Sequence, residues 1–96
     1  MIPAPYTIHT TPGFDRMLKH LTRQHPELAE RVAGAFSILR SDPYNLTRQH
    51  QIKKLTDVKA GQGQYRLRLA RWRFRYDIVG QVVELVYCVL RREDTY

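Results

Sequence analysis

The sequence predicts an α+β fold, with an N-terminal strand and a helical hairpin packed on a twisted, mainly antiparallel sheet. Three observations lead there. From Gln64 to Asp77 the chain reads QYRLRLARWRFRYD: Tyr65, Leu67 and Leu69 alternate with Arg66 and Arg68, then Trp72, Phe74, Tyr76 and Ile78 alternate with Arg73, Arg75 and Asp77. A two-residue period puts successive side chains on opposite sheet faces, one aromatic and aliphatic, the other rich in arginine. Val82 to Leu90 follows as the most apolar segment, with Glu84 its only charge. Upstream, two stretches carry apolar residues at helical spacing with a short connection between them, so an antiparallel helical hairpin is expected to cover one sheet face.

In chain order, Tyr6 to Thr10 is a short strand, preceded by Pro3 and Pro5, which make the first residues poor helix formers. Its position at the edge or the centre of the sheet is open. Thr11-Pro12 starts the first helix, with Thr as cap and Pro at the first helical position. Phe14, Met17, Leu18 and Leu21 form its apolar stripe, and it ends before Pro26, since a residue preceding proline is biased away from helical geometry. Pro26 opens the second helix, which runs to about Arg40. Glu27 and Glu30 sit near its positive end, and Leu28, Val32, Ala35, Phe36 and Leu39 form the buried stripe. Ser41-Asp42-Pro43 stops it. Tyr44 to Gln51 reads as a polar loop, and Ile52 to Val58 as a strand or an extended arm. Ala60 to Gly63 is a glycine-containing turn. The strand Gln64–Leu69 is followed by Trp72–Val79, and Gly80-Gln81 suits a tight hairpin turn. Val82–Leu90 should be a central strand, buried on much of both faces.

Residues 1–96 are long enough for one small domain with a modest core, and neither a repeat nor a low-complexity stretch divides them. The net charge of +7 favours a polyanionic partner, whether nucleic acid, an acidic protein or an acidic membrane surface. The single cysteine, Cys88, reads as a small buried hydrophobe and leaves no internal disulfide or paired-cysteine metal site. No signal peptide or membrane-length apolar run is apparent, so a cytoplasmic location without membrane association is expected.

Arg66, Arg68, Arg73 and Arg75 cluster on one face if their two strands pair. Guanidinium groups bind phosphate through paired donors and stay protonated. The cluster therefore suits a nucleic-acid backbone or a phosphorane-like transition state, although a solvated face partly neutralised by Asp77 or Glu84 is the alternative. Lys53 and Lys54 are adjacent, so in a strand only one readily joins that face; both are candidate RNA-binding residues, as are Arg75 and Arg91. His50 is a candidate acid or base in a polar loop. His9, His20 and His25 show no metal-ligand spacing. Tyr96, following Arg91 and Arg92, suits proton transfer, base stacking or closure of the core. Trp72 and Tyr76 read as packing residues. The sequence carries no glycine-rich phosphate loop, no paired-carboxylate site and no persuasive oxygen-ligand set for Mg²⁺. Metal-independent, cofactor-free RNA cleavage, in which the RNA's own 2′-OH attacks the adjacent phosphate, fits these residues better than metal-dependent nuclease chemistry.

IKKL at 52–55, YRLRL at 65–69, WRFRYDI at 72–78 and REDTY at 92–96, following a helical hairpin ended by Asp42-Pro43, together resemble the RelE/ParE superfamily of bacterial toxins. The resemblance spans most of the chain and is closer to RelE-like mRNA interferases. It implies a single RelE/ParE-like domain, a cognate antitoxin of acidic or amphipathic character, and the toxin role in a type II toxin–antitoxin system. RelE-like members cut mRNA on the ribosome. A ParE-like inhibitor of DNA gyrase, or a non-toxic nucleic-acid- or protein-binding relative, is the alternative it leaves open. By the RelE pattern, Arg66, Arg73 and Arg92 would bind and stabilise the phosphate, Arg68 would lie near the acid–base position, and Tyr96 would orient the nucleotide or help activate the 2′-OH. The pattern has lysines where this chain has Arg66 and Arg68. Arginine is a poor general base, so proton removal would fall to Tyr96, His50 or Lys54.

Overall fold

The computed structural model describes residues 5–91. The order is β1 (Thr7–Thr10), α1 (Pro12–Gln24), α2 (Leu28–Ser41), β2 (Gln51–Lys54), β3 (Tyr65–Leu69), β4 (Trp72–Val79) and β5 (Val82–Leu90). The strands form one sheet in the order β1-β5-β4-β3-β2. β1 runs parallel to β5 at one edge, and every other pairing is antiparallel.

The α1 start follows the expected chemistry. The Thr11 hydroxyl accepts a hydrogen bond from the Phe14 N–H at 3.1 Å, and Pro12 occupies the first turn, where no N–H is needed. The regular part of α2 begins two residues later than Pro26, because Pro26 and Glu27 are used in a turn in which the Leu28 N–H bonds the His25 carbonyl at 3.0 Å. The segment beginning at Ile52 is a short edge strand, not an arm. It ends at Lys54, although the Leu55 N–H still reaches the Gln64 carbonyl at 2.7 Å, and Asp57 then turns the chain with a positive φ of 58°.

Both helices lie on one face of the sheet. Phe14, Leu28, Ala35 and Leu39 from the helices meet Leu67, Trp72, Phe74, Tyr76, Val83, Leu85 and Cys88 from the strands in one buried cluster. Each large apolar side chain there contributes about 1.5–3 kcal/mol by leaving water. Among the described residues, the opposite face has no helix over it. This corrects the expectation for β5: its core face is buried, but on the other face Val89 is 44% exposed and Glu84 and Tyr87 are half-buried. β5 is an interior strand, as expected, between β1 and β4.

A bulge changes what β5 presents. Tyr76 pairs with Leu85 and Arg75 with Tyr87, leaving Val86 as the extra residue. The inward parity therefore shifts from Val83 and Leu85 to Cys88 and Leu90, and Tyr87 emerges on the uncovered face. Among the described residues, no helix is long and apolar enough to cross a membrane.

Candidate nucleic-acid interface

The register places the basic side chains in rows across the uncovered face. Lys53 pairs with Arg66, Arg66 with Arg75, and Arg75 with Tyr87. In the next row on that face, Gln51 pairs with Arg68, Arg68 with Arg73, and Arg73 with Val89. Directly opposed residues have Cβ atoms about 4.5–5.5 Å apart, and like charges so placed repel. A bound anion would relieve that repulsion. The acidic residues lie towards the other end of the face, where Asp77 pairs with Glu84 and Glu84 with His9.

The arginines differ in what holds them. Arg75 is committed to the fold: its Nε donates to the Gly63 carbonyl at 2.7 Å, its Nη2 to the Gln62 carbonyl at 3.3 Å, and its Nη1 to the Tyr87 hydroxyl. Its guanidinium also lies 5.1 Å from the Tyr87 ring centre. Asp77, only 3% exposed, spends its carboxylate on the same loop, accepting the Gly63 and Gln64 N–H groups at 2.9 Å each. It is occupied by backbone donors instead of neutralising an arginine. Arg75 and Asp77 thus fasten the loop before β3 against the uncovered face, and Arg66, Arg68 and Arg73 line the rest. Arg66 and Arg73 are half-buried, while Arg68 is exposed.

Of the two lysines, Lys53 joins the basic face. Lys54 is on the other face, paired with Tyr65, with its Nζ 5.8 Å from that ring centre. It heads a run of tyrosines in which Tyr65 stacks on Tyr76 at 5.5 Å and meets Tyr44 edge-on at 5.9 Å. As a result, Lys54 does not share a face with Arg66, Arg68 and Arg73.

His50 sits at the end of the loop that precedes β2. Asn45 brackets its backbone, donating to its carbonyl at 2.8 Å and accepting its N–H at 3.1 Å. Its Nε2 is 4.0 Å from Asp42 Oδ2. Asp42 is itself buried, and burial alone would raise its pKa. The hydrogen bonds from the Thr47 hydroxyl and the Leu46 and Thr47 N–H groups, with nearby His50, outweigh that and hold the carboxyl below its ordinary value. His50 faces a cleft of about 390 Å³ whose lining includes Gln49, Gln51, Leu67, Arg68 and Ala70. A second, adjoining depression of about 290 Å³ is lined by Arg68, Ala70, Arg71 and Arg91. The Arg91 N–H donates to the Arg71 carbonyl at 2.7 Å and ties the end of β5 to the β3–β4 turn. Arg92 and Tyr96 lie outside the described residues.

Sequence reading missed two residues on this surface. Tyr87 was concealed by the bulge, since simple alternation assigns it to the core with Val83 and Leu85. Arg71 falls in the interruption between the two alternating runs, where the two-residue period assigns it no face. Its place between β3 and β4, two-residue turn geometry included, was the available signal. Trp72 and Tyr76 are core residues, 2% and 0% exposed, and the Tyr76 hydroxyl donates to the Pro43 carbonyl at 2.7 Å.

No family model and no curated protein sequence matches the chain. Among solved structures, a chain of the toxin–antitoxin complex RelBE2 from Mycobacterium tuberculosis matches with a TM-score of 0.69 and 26% identity, over 91% of this chain and 99% of that one. A chain of the RelB–RelE antitoxin–toxin complex from Methanococcus jannaschii matches with a TM-score of 0.50 and 19% identity, over 85% of this chain and 88% of that one, and shares the fold. The helical hairpin on one face of a five-stranded sheet, the arginine-bearing other face and the RelBE2 likeness agree: the chain is a RelE-like member of the RelE/ParE superfamily.

Proposed function

We propose that the protein is the toxin of a toxin–antitoxin pair and acts as a ribosome-dependent endoribonuclease on mRNA. The observation that carries this reading is the placement of Lys53, Arg66, Arg68 and Arg73 in adjacent cross-strand rows on the face that the helices leave uncovered. The likeness to chains of two toxin–antitoxin complexes supports the toxin role and a cognate antitoxin, whose acidic or amphipathic surface would match the net charge of +7.

In the proposed reaction an RNA strand lies along the basic face. The 2′-OH of one nucleotide loses its proton and attacks the adjacent phosphorus. The bond to the 5′-oxygen of the next nucleotide breaks, that oxygen takes up a proton, and a 2′,3′-cyclic phosphate remains. Arg66 and Arg73 would hold the non-bridging oxygens and favour the extra charge of the transition state. Arg68, exposed between Gln51 and Arg73 in the second row, would hold the leaving side. Arg92 would add to the phosphate clamp, and Tyr96 or His50 would serve the proton transfers.

The test is cleavage mapping on translating ribosomes, with a gyrase supercoiling assay run alongside. Codon-phased cuts that fall about 10²-fold or more in Arg73→Ala are expected. Intact mRNA combined with blocked supercoiling would overturn the ribonuclease reading in favour of gyrase inhibition.

A further inference from the structure

We infer that the end of the β3–β4 hairpin carries a nucleotide subsite, in which the depression between Arg68, Arg71 and Arg91 takes a phosphate of single-stranded RNA and the adjoining cleft takes the attached base. The inference rests on the RNA-cleaving reading for its ligand class; it shares Arg68 with the proposed cleavage centre and otherwise concerns residues beside it.

Three features support it. First, Arg68 and Ala70 line both the depression and the cleft, so the two adjoin and lie within reach of one nucleotide. Second, the depression is arginine-lined, with Arg68 and Arg71 exposed, and the Arg91 N–H to Arg71 carbonyl bond fixes the spacing of the last two backbones. Guanidinium groups offer the paired donors that a phosphodiester accepts from. Third, Ile38 and Leu69 give the cleft an apolar lining, and Gln49 and Gln51 line it as well. An amide donates and accepts at once, as a base edge requires. Asn45 holds the loop carrying Gln49 and His50 by two backbone bonds, so that rim is preformed. The cleft volume of about 390 Å³ falls towards the lower end of the range for small-ligand sites, suiting one nucleotide at a time.

The experiment titrates ¹⁵N-labelled full-length protein with each 5′-nucleoside monophosphate and, separately, with inorganic phosphate. With a monophosphate, the Gln49 and Gln51 side-chain amides and the Ala70 and Arg71 backbone amides should shift together. Inorganic phosphate should move the Ala70 and Arg71 signals alone. Arg71→Gln should weaken monophosphate binding about tenfold, the loss of one charge-assisted contact, whereas Arg31→Gln, an equal charge change on exposed α2 surface, should leave it unaltered. Shifts confined to β3 and β4 around Arg66 and Arg73, equal losses in the two variants, or no shifts at millimolar ligand would each overturn the subsite. Ribosome cleavage is scored separately: a subsite without cleavage sinks the ribonuclease reading alone, and cleavage without a subsite sinks this inference alone.

Discussion

Gly63 lies flat against the side chain of Arg75, close enough that a Cβ on the glycine would stand 2.8 Å from Arg75 Cβ. The same glycine has a φ of 83°, gives its carbonyl to Arg75 and its N–H to Asp77. Backbone conformation, contact and hydrogen bonding therefore all select glycine at this position. Gly63→Ala should cost about 2–3 kcal/mol, combining left-handed strain with displacement of the Arg75 stem. Urea denaturation measures it. The loop that Arg75 and Asp77 fasten should also lose amide protection from hydrogen exchange ahead of the core strands. A wild-type midpoint in Gly63→Ala would show that the loop is not held in this way.

Asp42 makes stability depend on pH in a defined direction. Its folded pKa is depressed, so the ionised carboxylate stabilises the fold above the unfolded value of about 3.9, and that contribution disappears as pH falls through the lower folded value. Asp42→Asn keeps the shape and removes the charge received by the Leu46 and Thr47 N–H groups. The stability gap between wild type and Asp42→Asn should be full near pH 6 and narrow progressively below about pH 4. Denaturant midpoints across that range check the sign; a gap that widens on acidification would contradict it.

The hairpin turn at Ala70 and Arg71 offers a stabilising change. Ala70 has a φ of 55°, and the equivalent place in the β4–β5 turn is held by Gly80 at 59°. Left-handed geometry costs a residue with a Cβ about 1–2 kcal/mol, and the added freedom of glycine in the unfolded chain returns about 0.5–1. Ala70→Gly should therefore raise stability by about 0.5–1 kcal/mol, read as a higher thermal midpoint. No such gain is expected at Gly80, which already has the residue its turn needs.

Burial pushes the Cys88 thiol up to about 12, and its side chain is 1% exposed, so the native protein should react with thiol reagents only when β5 opens. Labelling should be slow in buffer, rise with urea in step with global unfolding, and become fast above the transition. Rapid labelling of folded protein would mean that β5 opens locally.

The fold was readable because its strongest signals are local. Alternation over Tyr65–Ile78 gave β3 and β4 their faces, and Thr11-Pro12 set the start of α1. What could not be read depends on partners distant in sequence. The bulge beside Arg75 exists only when β4 and β5 are paired, and it alone turns Tyr87 outward. The commitment of Arg75 and Asp77 to Gly63 likewise joins residues 12 and 14 positions apart through tertiary packing. Alternation put four arginines on one face, and the family pattern left Arg75 outside the cleavage centre; packing supplies a physical reason, since Arg75 holds a loop while Arg66, Arg68 and Arg73 line the face. The IKKL segment was recognisable, but β2 had to pair with β3 before its two lysines could be told apart.

That separation of Lys53 from Lys54 gives the most direct test of which face meets RNA. The two substitutions Lys53→Ala and Lys54→Ala remove the same charge one residue apart, so any long-range electrostatic effect is nearly equal. Lys53 stands beside Arg66 on the basic face, whereas Lys54 covers the Tyr65 ring on the other. Binding of a 2′-O-methyl RNA oligonucleotide, which lacks the attacking hydroxyl, should weaken in Lys53→Ala with a fall of about 0.7 in the slope of log affinity against log salt, the value for one lost single-strand phosphate contact. Lys54→Ala should keep the wild-type slope and instead lose about 0.5–1 kcal/mol of stability with its cation–π contact. Equal changes in slope would mean that RNA senses only total charge. A change confined to Lys54→Ala would place the RNA on the tyrosine side and remove the basis for assigning Arg66, Arg68 and Arg73 to the phosphate.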